Sequence, residues 1–255
     1  MLKTIDHGDG LIELNMARPP VNALNAELVQ ALDTAITAAP EQGARAVVLS
    51  GQPGMFSAGL DVPALLQLDK PAMADFWSGF FNLLRHLAES PVPVIAAMPG
   101  HSPAGGAVMA IFCDYRIAAG NTEETSFKIG LNEVQVGLPV PAVVYAALER
   151  LIGPREAERL AVRGLLVSPD EALRIGLVNE LATPDKVIDT AIAHARQLLA
   201  LPSSALAMTR QTARAGLHKL CEQGVGLDDL ETVWNAPETQ AALKAMVAQL
   251  QAKRQ

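Results

Sequence analysis

Residues 92–106 read Val92-Pro93-Val94-Ile95-Ala96-Ala97-Met98-Pro99-Gly100-His101-Ser102-Pro103-Ala104-Gly105-Gly106. The unbroken apolar run over residues 92–98 is typical of a strand that is covered on both faces of its sheet. The small residues after it predict a loop, and the apolar residues 106–112 predict a helix. The segment is therefore predicted to be a strand, a loop and a helix in succession.

A weak internal repeat of this segment occurs earlier in the chain. An apolar run at residues 44–50 leads into Phe56-Ser57-Ala58-Gly59-Leu60-Asp61. A further strand is predicted at residues 11–17, with helical patterns at 27–39 and 72–87. Alternating strands and helices with continuously apolar strands predict an α/β fold whose sheets are covered by helices.

The second half of the sequence has a helical character. Residues 154–163 predict a helix that begins with proline, and Ser168-Pro169-Asp170-Glu171 predicts the capped start of the next helix. From residue 184 onward the pattern is almost entirely helical, with a break at Pro202.

Length and composition exclude several classes of protein. The 255 residues suffice for one domain with a large core and leave room for an appendage, and the net charge of -7 argues against binding to nucleic acid. The longest apolar run, residues 136–148, is broken by Gly137, Pro139 and Pro141, so no membrane-spanning segment is predicted. Cys113 and Cys221 lack metal-like spacing, and no metal site is expected.

The N-terminus predicts a cytoplasmic protein. The first strand-like run begins at Leu11, which leaves no room for a signal peptide before it. A mature organelle protein that has lost its leader would have the same kind of sequence.

The two loops of small residues are candidates for a binding site. Gly105 and Gly106 stand where a helix should begin, and the free N–H groups at a helix start bind anions or an oxygen that gains charge. Glycines in this position equally fit a tight turn that lets a strand and a helix pack closely. In the first loop, Asp61 is expected to cap a helix. Ser57 lies outside a G-x-S-x-G elbow, so a hydrolase nucleophile is not expected.

Glu133 is the candidate for proton transfer. It lies in Ile129-Gly130-Leu131-Asn132-Glu133, and Val134, Val136 and Leu138 follow it closely. Apolar surroundings raise the pKa of a carboxyl group toward neutrality, which suits a general base. A solvated surface position is the alternative, so the residues themselves support an anion site and a possible base.

The motifs together resemble those of the crotonase (enoyl-CoA hydratase/isomerase) superfamily over nearly the whole chain. The matching segments are Arg18-Pro19-Pro20-Val21-Asn22-Ala23-Leu24, Phe56-Ser57-Ala58-Gly59-Leu60-Asp61, Pro103-Ala104-Gly105-Gly106 and Cys113-Asp114-Tyr115-Arg116-Ile117. The resemblance implies a spiral of ββα turns over residues 1–197 and a C-terminal helical trimerisation region over residues 198–255. It also implies a homotrimer or a dimer of trimers.

Within the superfamily the sequence is most similar to the monofunctional 3,2-enoyl-CoA isomerases. Hydratases of the superfamily have one glutamate at the Glu133 position and another at a position that is Val108 here. The resemblance therefore implies isomerisation of 3-enoyl-CoA to trans-2-enoyl-CoA in fatty-acid β-oxidation, with Glu133 as the single base. The backbone N–H groups of Ala58 and Gly105 would form the oxyanion hole. A 2-enoyl-CoA hydratase, another crotonase reaction such as a dienoyl shift, and a catalytically silent acyl-CoA-binding protein are the alternatives.

The resemblance also implies which residues bind the acyl-CoA thioester. They are Ala58, Gly59, Leu60, Asp61, Val62, Gly105 and Asn132. No metal or redox cofactor is expected, because CoA is part of the substrate. The sequence does not choose which cations hold the CoA phosphates among Arg85, Arg210, Lys219, Lys244 and Lys253. Phe76, Phe80 and Phe81 are expected to pack in the core, or alternatively to shape an acyl tunnel.

Overall fold

A computed structural model describes residues 1–222 and 227–252 of the chain. The strands within these residues are β1 (Leu2–Asp6), β2 (Leu11–Met16), β3 (Ala46–Ser50), β4 (Gly54–Met55), β5 (Val94–Met98), β6 (Gly100–Pro103), β7 (Tyr115–Ala119), β8 (Ile129–Gly130) and β9 (Glu180–Ala182). The helices are α1 (Ala26–Glu41), α2 (Val62–Leu65), α3 (Lys70–Glu89), α4 (Gly105–Phe112), α5 (Ala142–Arg163), α6 (Pro169–Arg174), α7 (Val187–Leu199), α8 (Ser203–Glu222), α9 (Leu227–Trp234) and α10 (Pro237–Ala252). A 3₁₀ turn spans Glu133–Val136.

The larger sheet has the strand order β1-β2-β3-β5-β7-β9 over the described residues. β1 and β2 are antiparallel, and every other neighbouring pair is parallel. Each residue of β3 and β5 is buried, which explains why these strands read as continuous apolar runs. The predicted α/β class is confirmed, and both strands begin two residues later than predicted, at Ala46 and Val94.

The smaller sheet consists of β4, β6 and β8, and each of these strands follows a strand of the larger sheet in the sequence. β4 follows β3, β6 follows β5 and β8 follows β7, and a helix or the 3₁₀ turn comes next each time. β4 and β6 are parallel, with Gly54 opposite Gly100 and Met55 opposite His101. The predicted ββα turns are therefore present, and the parallel pairing brings the loops after β4 and β6 to the same edge.

Helices cover both faces of the larger sheet. On one face α1 and α3 pack on a core that includes Leu14, Leu28, Leu49 and Leu83. On the other face Val187, Ala191 and Ala195 of α7 pack on a second cluster beneath the same strands. The predicted boundary after residue 197 falls within α7 and stays a prediction.

A partly buried ion-pair cluster attaches α8 to this core. The guanidinium of Arg214 donates to an oxygen of Asp114 at 3.2 Å and to the carbonyl of Phe112 at 2.6 Å. Arg210 donates to the same carboxylate at 2.6 Å. Buried charges are tolerated when they are paired and hydrogen-bonded in this way. The chain then returns across α3, where Trp234 of α9 packs edge-on against Trp77 with ring centroids 5.7 Å apart.

Two helix predictions are refined by the structure. The helix predicted at residues 154–163 is the second part of α5, since Gly153 (φ 75°) interrupts the helical geometry just before Pro154. The predicted cap at Ser168 is confirmed, because its hydroxyl accepts from the Glu171 N–H at 3.2 Å. Among the described residues, none of the helices has the length and apolar composition to cross a membrane.

Candidate active site

A cavity of about 520 Å³ lies between α3, the start of α4, the 3₁₀ turn and helices α9 and α10. Most of the side chains that line it are apolar. The charged ones are Arg18, Asp61 and Glu133. The remaining lining residues are Pro19, Pro20, Val21, Ala23, Ala58, Leu60, Val62, Pro63, Trp77, Phe80, Phe81, Pro103, Ala104, Gly105, Val108, Asn132, Val136, Leu138, Pro139, Pro141, Val144, Leu230 and Met246.

Glu133 is the first residue of the 3₁₀ turn. Its carbonyl accepts from the Leu138 N–H at 3.1 Å, and Gly137 (φ 78°) ends the turn in the left-handed region. Burial raises the pKa of the Glu133 carboxyl to about 7, and a backbone hydrogen bond opposes this rise only in part. Its Oε2 atom is buried without a hydrogen-bond partner among the described residues. The carboxylate is therefore free to take up a proton near neutral pH.

The apolar surroundings of Glu133 differ in part from those predicted. Val136 and Leu138 line the cavity as expected. Val134 is 39% exposed and lies beside Gly164 at the end of α5, so it does not contribute to the cavity. Leu230 and Met246 of the C-terminal helices line the cavity as well. The sequence did not identify these two, because an apolar residue on an amphipathic helix looks the same whether it faces a core or a cavity.

Hydrogen bonds to the N-terminal segment hold the first loop in place. The Asn22 side chain donates to the carbonyl of Phe56 at 3.0 Å, and the Ser57 hydroxyl donates to the carbonyl of Asn22 at 2.8 Å. The Gly59 N–H in turn donates to the Ser57 hydroxyl at 3.2 Å. Ser57 is buried and serves this structural role, in agreement with the absence of a hydrolase motif.

The Ala58 N–H is not free to bind a ligand oxygen. It donates to the carbonyl of Val21 at 3.0 Å, which contradicts the prediction that Ala58 supplies the first oxyanion donor. Leu60, two residues after Ala58 in the sequence, forms an isolated parallel β-bridge with Leu24. In this bridge the Leu24 N–H donates to Gly59, and the Leu24 carbonyl accepts from Asp61. The N–H of Leu60 therefore points away from Leu24, and within the described residues it has no acceptor.

The second loop places the start of α4 against the cavity. Ala104 (φ 45°, ψ -124°) precedes the helix and has no side-chain cap, and its N–H donates to the carbonyl of Gly130 at 2.8 Å. The Gly105 N–H has no acceptor among the described residues and belongs to a residue that lines the cavity. It remains available as an oxyanion donor.

Gly105 and Gly106 were predicted either to bind an anion at a helix start or to allow close packing, and the structure assigns these two roles to different glycines. A Cβ atom added to Gly106 would lie 2.6 Å from the carbonyl oxygen of Ser57, so Gly106 allows close packing of the two loops. A Cβ atom added to Gly59 (φ 83°) would lie 3.0 Å from the backbone nitrogen of Gly105. The two loops are thus in contact, and the N–H groups of Leu60 and Gly105 belong to adjacent walls of one cavity.

Asp61 is engaged in structural contacts at both of its oxygens. Oδ1 accepts from the Ala64 N–H at 3.2 Å, which confirms the predicted helix cap. Oδ2 pairs with the guanidinium of Arg18 at 2.6 Å, and Arg18 also donates to the carbonyl of Ala23 at 2.9 Å. Glu133 is consequently the carboxylate of the cavity lining that has no cationic partner in the described residues.

Most of the residues predicted to bind substrate lie together. Ala58, Leu60, Asp61, Val62, Gly105 and Asn132 all line the cavity, together with the predicted base Glu133. Gly59 is the exception, because it is buried between the two loops. The side-chain oxygen of Asn132 is buried without a hydrogen-bond partner among the described residues.

The basic residues considered for the CoA phosphates do not line this cavity. Arg210 is paired with Asp114, and Arg85 lies 3.6 Å from Glu89. Lys219 and Lys244 are exposed, and Lys253 lies outside the described residues. Arg18, which was not among the candidates, is the cation of the lining.

The aromatic residues of α3 divide between the core and the cavity. Phe76 is buried and does not belong to the lining, whereas Phe80 and Phe81 line the cavity together with Trp77. The expectation of core packing therefore holds for Phe76, and the tunnel alternative fits the other two phenylalanines.

The sequence over residues 6–250 matches the enoyl-CoA hydratase/isomerase family. The chain belongs to this family. It is 36% identical over 211 residues to the mitochondrial enoyl-CoA delta isomerase 1 of Homo sapiens, and the match covers 82% of this chain and 69% of that relative. For the rat and mouse proteins of the same name the match covers 54% of their length.

The chain is also similar to proteins named as hydratases. A probable enoyl-CoA hydratase of Rhizobium meliloti (strain 1021) is 29% identical over 249 residues, which cover 96% of this chain and 93% of that relative. The crystal structure of human mitochondrial delta3-delta2-enoyl-CoA isomerase superimposes with a TM-score of 0.92 at 30% identity and covers 100% of this chain and 99% of its own. The predicted crotonase-like fold is confirmed.

Proposed function

We propose that this enoyl-CoA hydratase/isomerase family member converts 3-enoyl-CoA to trans-2-enoyl-CoA in fatty-acid β-oxidation. The observation that carries the proposal is Glu133, the one carboxylate of the apolar cavity without a partner among the described residues, in the same lining as the N–H groups of Leu60 and Gly105, which have no acceptor there. Val108 lines the same cavity and cannot orient a water molecule by hydrogen bonding. Hydration of a double bond calls for such a water, whereas migration of a double bond does not.

The reaction requires one proton to leave and one to return. The thioester oxygen would accept hydrogen bonds from the N–H groups of Leu60 and Gly105. The Glu133 carboxylate would take a proton from the α-carbon, and the electron pair would delocalise onto that oxygen as a dienolate. The protonated Glu133 would then deliver the proton to the γ-carbon, so that the double bond moves without gain or loss of atoms.

The raised pKa of Glu133 supports both halves of this cycle. Burial brings the pKa to about 7, so the group is a stronger base than an exposed carboxylate and still ionises near neutral pH. Asp61 does not compete for this role, since Arg18 and the start of α2 occupy its two oxygens. The proposed chemistry needs no metal or redox cofactor, because CoA enters as part of the substrate.

The test of the base is Glu133→Gln, which keeps the size of the side chain but removes its ability to accept a proton. Loss of a general base typically lowers the rate by about 10²–10⁴-fold. Glu124→Gln is the matched control, because Glu124 is exposed and outside the cavity. Conversion of 3-enoyl-CoA at the parental rate by Glu133→Gln would refute the single-base mechanism.

A 2-enoyl-CoA hydratase is the second candidate, favoured by the similarity to the Rhizobium meliloti relative. Mass spectrometry of the products separates the two reactions, since hydration adds the mass of one water and isomerisation leaves the mass unchanged. A catalytically silent acyl-CoA-binding protein would bind the thioester without exchanging its α-protons in heavy water. We further propose a cytoplasmic location and assembly as a homotrimer or a dimer of trimers.

A further inference from the structure

We propose that Thr239 of α10 is a positioning residue that holds the turn carrying Glu133 in its working orientation. The inference rests on the proposed function, in which Glu133 is the base. Thr239 lies far from Glu133 in sequence and does not line the cavity. It would act through the backbone of the 3₁₀ turn and not on the substrate.

The contact between Thr239 and the turn is direct and closely packed. The Thr239 hydroxyl donates to the carbonyl of Gly137 at 3.0 Å, and Thr239 is only 3% exposed. A Cβ atom added to Gly137 would lie 3.2 Å from the Cα atom of Thr239. The left-handed end of the turn therefore fits against α10 without space for a side chain at residue 137.

The opposite side of the turn is held by the end of α5. The Gln135 side chain donates to the carbonyl of Gly164 at 2.8 Å. A Cβ atom added to Gly164 would lie 2.8 Å from a methyl group of Val134, so this contact is also tight. The turn is thus held between two helices, because it accepts a side-chain hydrogen bond from Thr239 of α10 and donates one from Gln135 to the end of α5.

This backbone support matters because the Glu133 side chain has little support of its own. Its Oε2 atom has no hydrogen-bond partner among the described residues. The other charged lining residues, Arg18 and Asp61, are paired with each other at 2.6 Å. The direction of the carboxylate therefore depends on the conformation of the turn, and catalytic groups lose precision when their supporting contacts are weakened.

Thr239 also connects the base to the wall of the cavity. Leu230 and Met246, which line the cavity, lie on α9 and α10 before and after Thr239. α9 contacts α3 through Trp234 and Trp77, and through an ion pair between Glu231 and Lys70 at 3.2 Å. The Thr239 hydroxyl therefore joins the turn that carries Glu133 to a helix that also lines the cavity.

The test compares Thr239→Val with Thr239→Ser. Valine has nearly the shape of threonine but cannot donate to Gly137, whereas serine keeps the hydroxyl. We expect Thr239→Val to lower kcat by about 10- to 100-fold with little change in KM, because small displacements of a catalytic group are costly. Thr239→Ser should restore most of kcat. If Thr239→Val does not fold, Thr239→Ala removes the same hydroxyl and takes its place.

A second measurement follows the carboxyl group without any turnover. The carboxyl carbon of Glu133, labelled with ¹³C-glutamate and assigned with Glu133→Gln, is titrated by NMR. A looser turn admits water, so the Glu133 pKa in Thr239→Val should fall toward its ordinary value. Parental kcat and a parental titration in Thr239→Val would overturn the inference, as would a serine variant no better than the valine variant.

The two proposals fail in different ways. If Glu133→Gln keeps parental activity, the proposed function is wrong, and the NMR titration still decides whether Thr239 holds the turn. If Glu133→Gln is inactive while Thr239→Val matches the parent in both kcat and titration, only the role of Thr239 is wrong.

Discussion

In the proposed reaction Glu133 acts as a charged base, yet its carboxyl group lies where a charge is poorly solvated. Burial is the larger influence on its carboxyl group and raises the pKa to about 7. The apolar residues after Glu133 made it a candidate in the sequence, and the resemblance to the crotonase superfamily, with Val108 in place of a second acid, made it the predicted base. The sequence could not predict that Val134 turns outward, since this depends on the packing of the turn against Gly164.

The pH dependence of the reaction follows from the same group. The base must be ionised in the free enzyme, so kcat/KM should rise with pH and level off above about 7. Below that value we expect a loss of about tenfold for each pH unit, as for a single titrating group. Measurement of kcat/KM for 3-enoyl-CoA from about pH 5 to about pH 9 checks this expectation. An acidic limb near the ordinary value of 4.5 would contradict the buried carboxylate.

Glu133 should also make the folded protein less stable at high pH. The pKa of Glu133 in the folded protein, about 7, lies above the ordinary value of 4.5. The contribution of Glu133 to the free energy of unfolding is therefore fully present below pH 4.5 and is lost as the pH rises through 7. Glu133→Gln avoids this loss, so it should be more stable than the parent at pH 8 by on the order of 3 kcal/mol. Urea unfolding of both proteins at pH 8 and pH 5 measures the difference. Equal differences at the two pH values would contradict the prediction.

At the scale of elements, the proposed reaction depends on the two loops whose backbone N–H groups line the cavity. Their position after β3 and β5 was predictable from the repeated strand, small-residue loop and helix, whereas the short strands β4 and β6 were not visible in that pattern. The donor residue in the first loop was not predictable. Ala58 is excluded by its bond to Val21, and this contact comes from a segment distant in sequence.

The contact between these loops predicts a sharp difference between two glycines. Gly59 and Gly54 both have positive φ values, 83° and 80°. A Cβ atom at Gly59 would meet the Cβ of Ala104 at 2.9 Å, whereas one at Gly54 would meet nothing within 4 Å. Gly59→Ala should therefore separate the two N–H groups and lower kcat by about 100-fold, since catalysis depends on their geometry.

Gly54→Ala is the matched control for this experiment. It carries a comparable backbone strain of about 1–3 kcal/mol but leaves the loops in contact, so its kcat should stay near that of the parent. Steady-state kinetics and thermal unfolding of both variants separate the two effects. A similar fall of kcat in both variants would mean that strain, and not loop contact, is responsible.

At the scale of the whole molecule, the C-terminal helices have two different tasks. α9 and α10 close the cavity, while α8 is attached to the core through Asp114 and leaves much of its surface uncovered. The sequence predicted a helical region after Pro202 but not this division. Apolar residues at helical spacing do not reveal which surface they will cover.

The uncovered part of α8 and its neighbourhood leads to a prediction about assembly. Met208 is 70% exposed and Leu201 is 49% exposed, and large apolar side chains of this kind are commonly covered by symmetric association. Sedimentation velocity at micromolar concentration should give a particle of three times the chain mass of 26.9 kDa, or twice that for paired trimers. A particle of the single-chain mass would refute this prediction.

The register between β4 and β6 limits how this scaffold can diversify. Because Gly54 faces Gly100 and Met55 faces His101, the starting points of the two loops are fixed relative to each other. One inserted residue would move an amide by about 3.3 Å, which exceeds the tolerance of a hydrogen bond. We therefore expect the cavity to tolerate exchanged side chains more readily than an insertion or deletion in either loop, which would displace a backbone N–H group from its position in the proposed oxyanion hole.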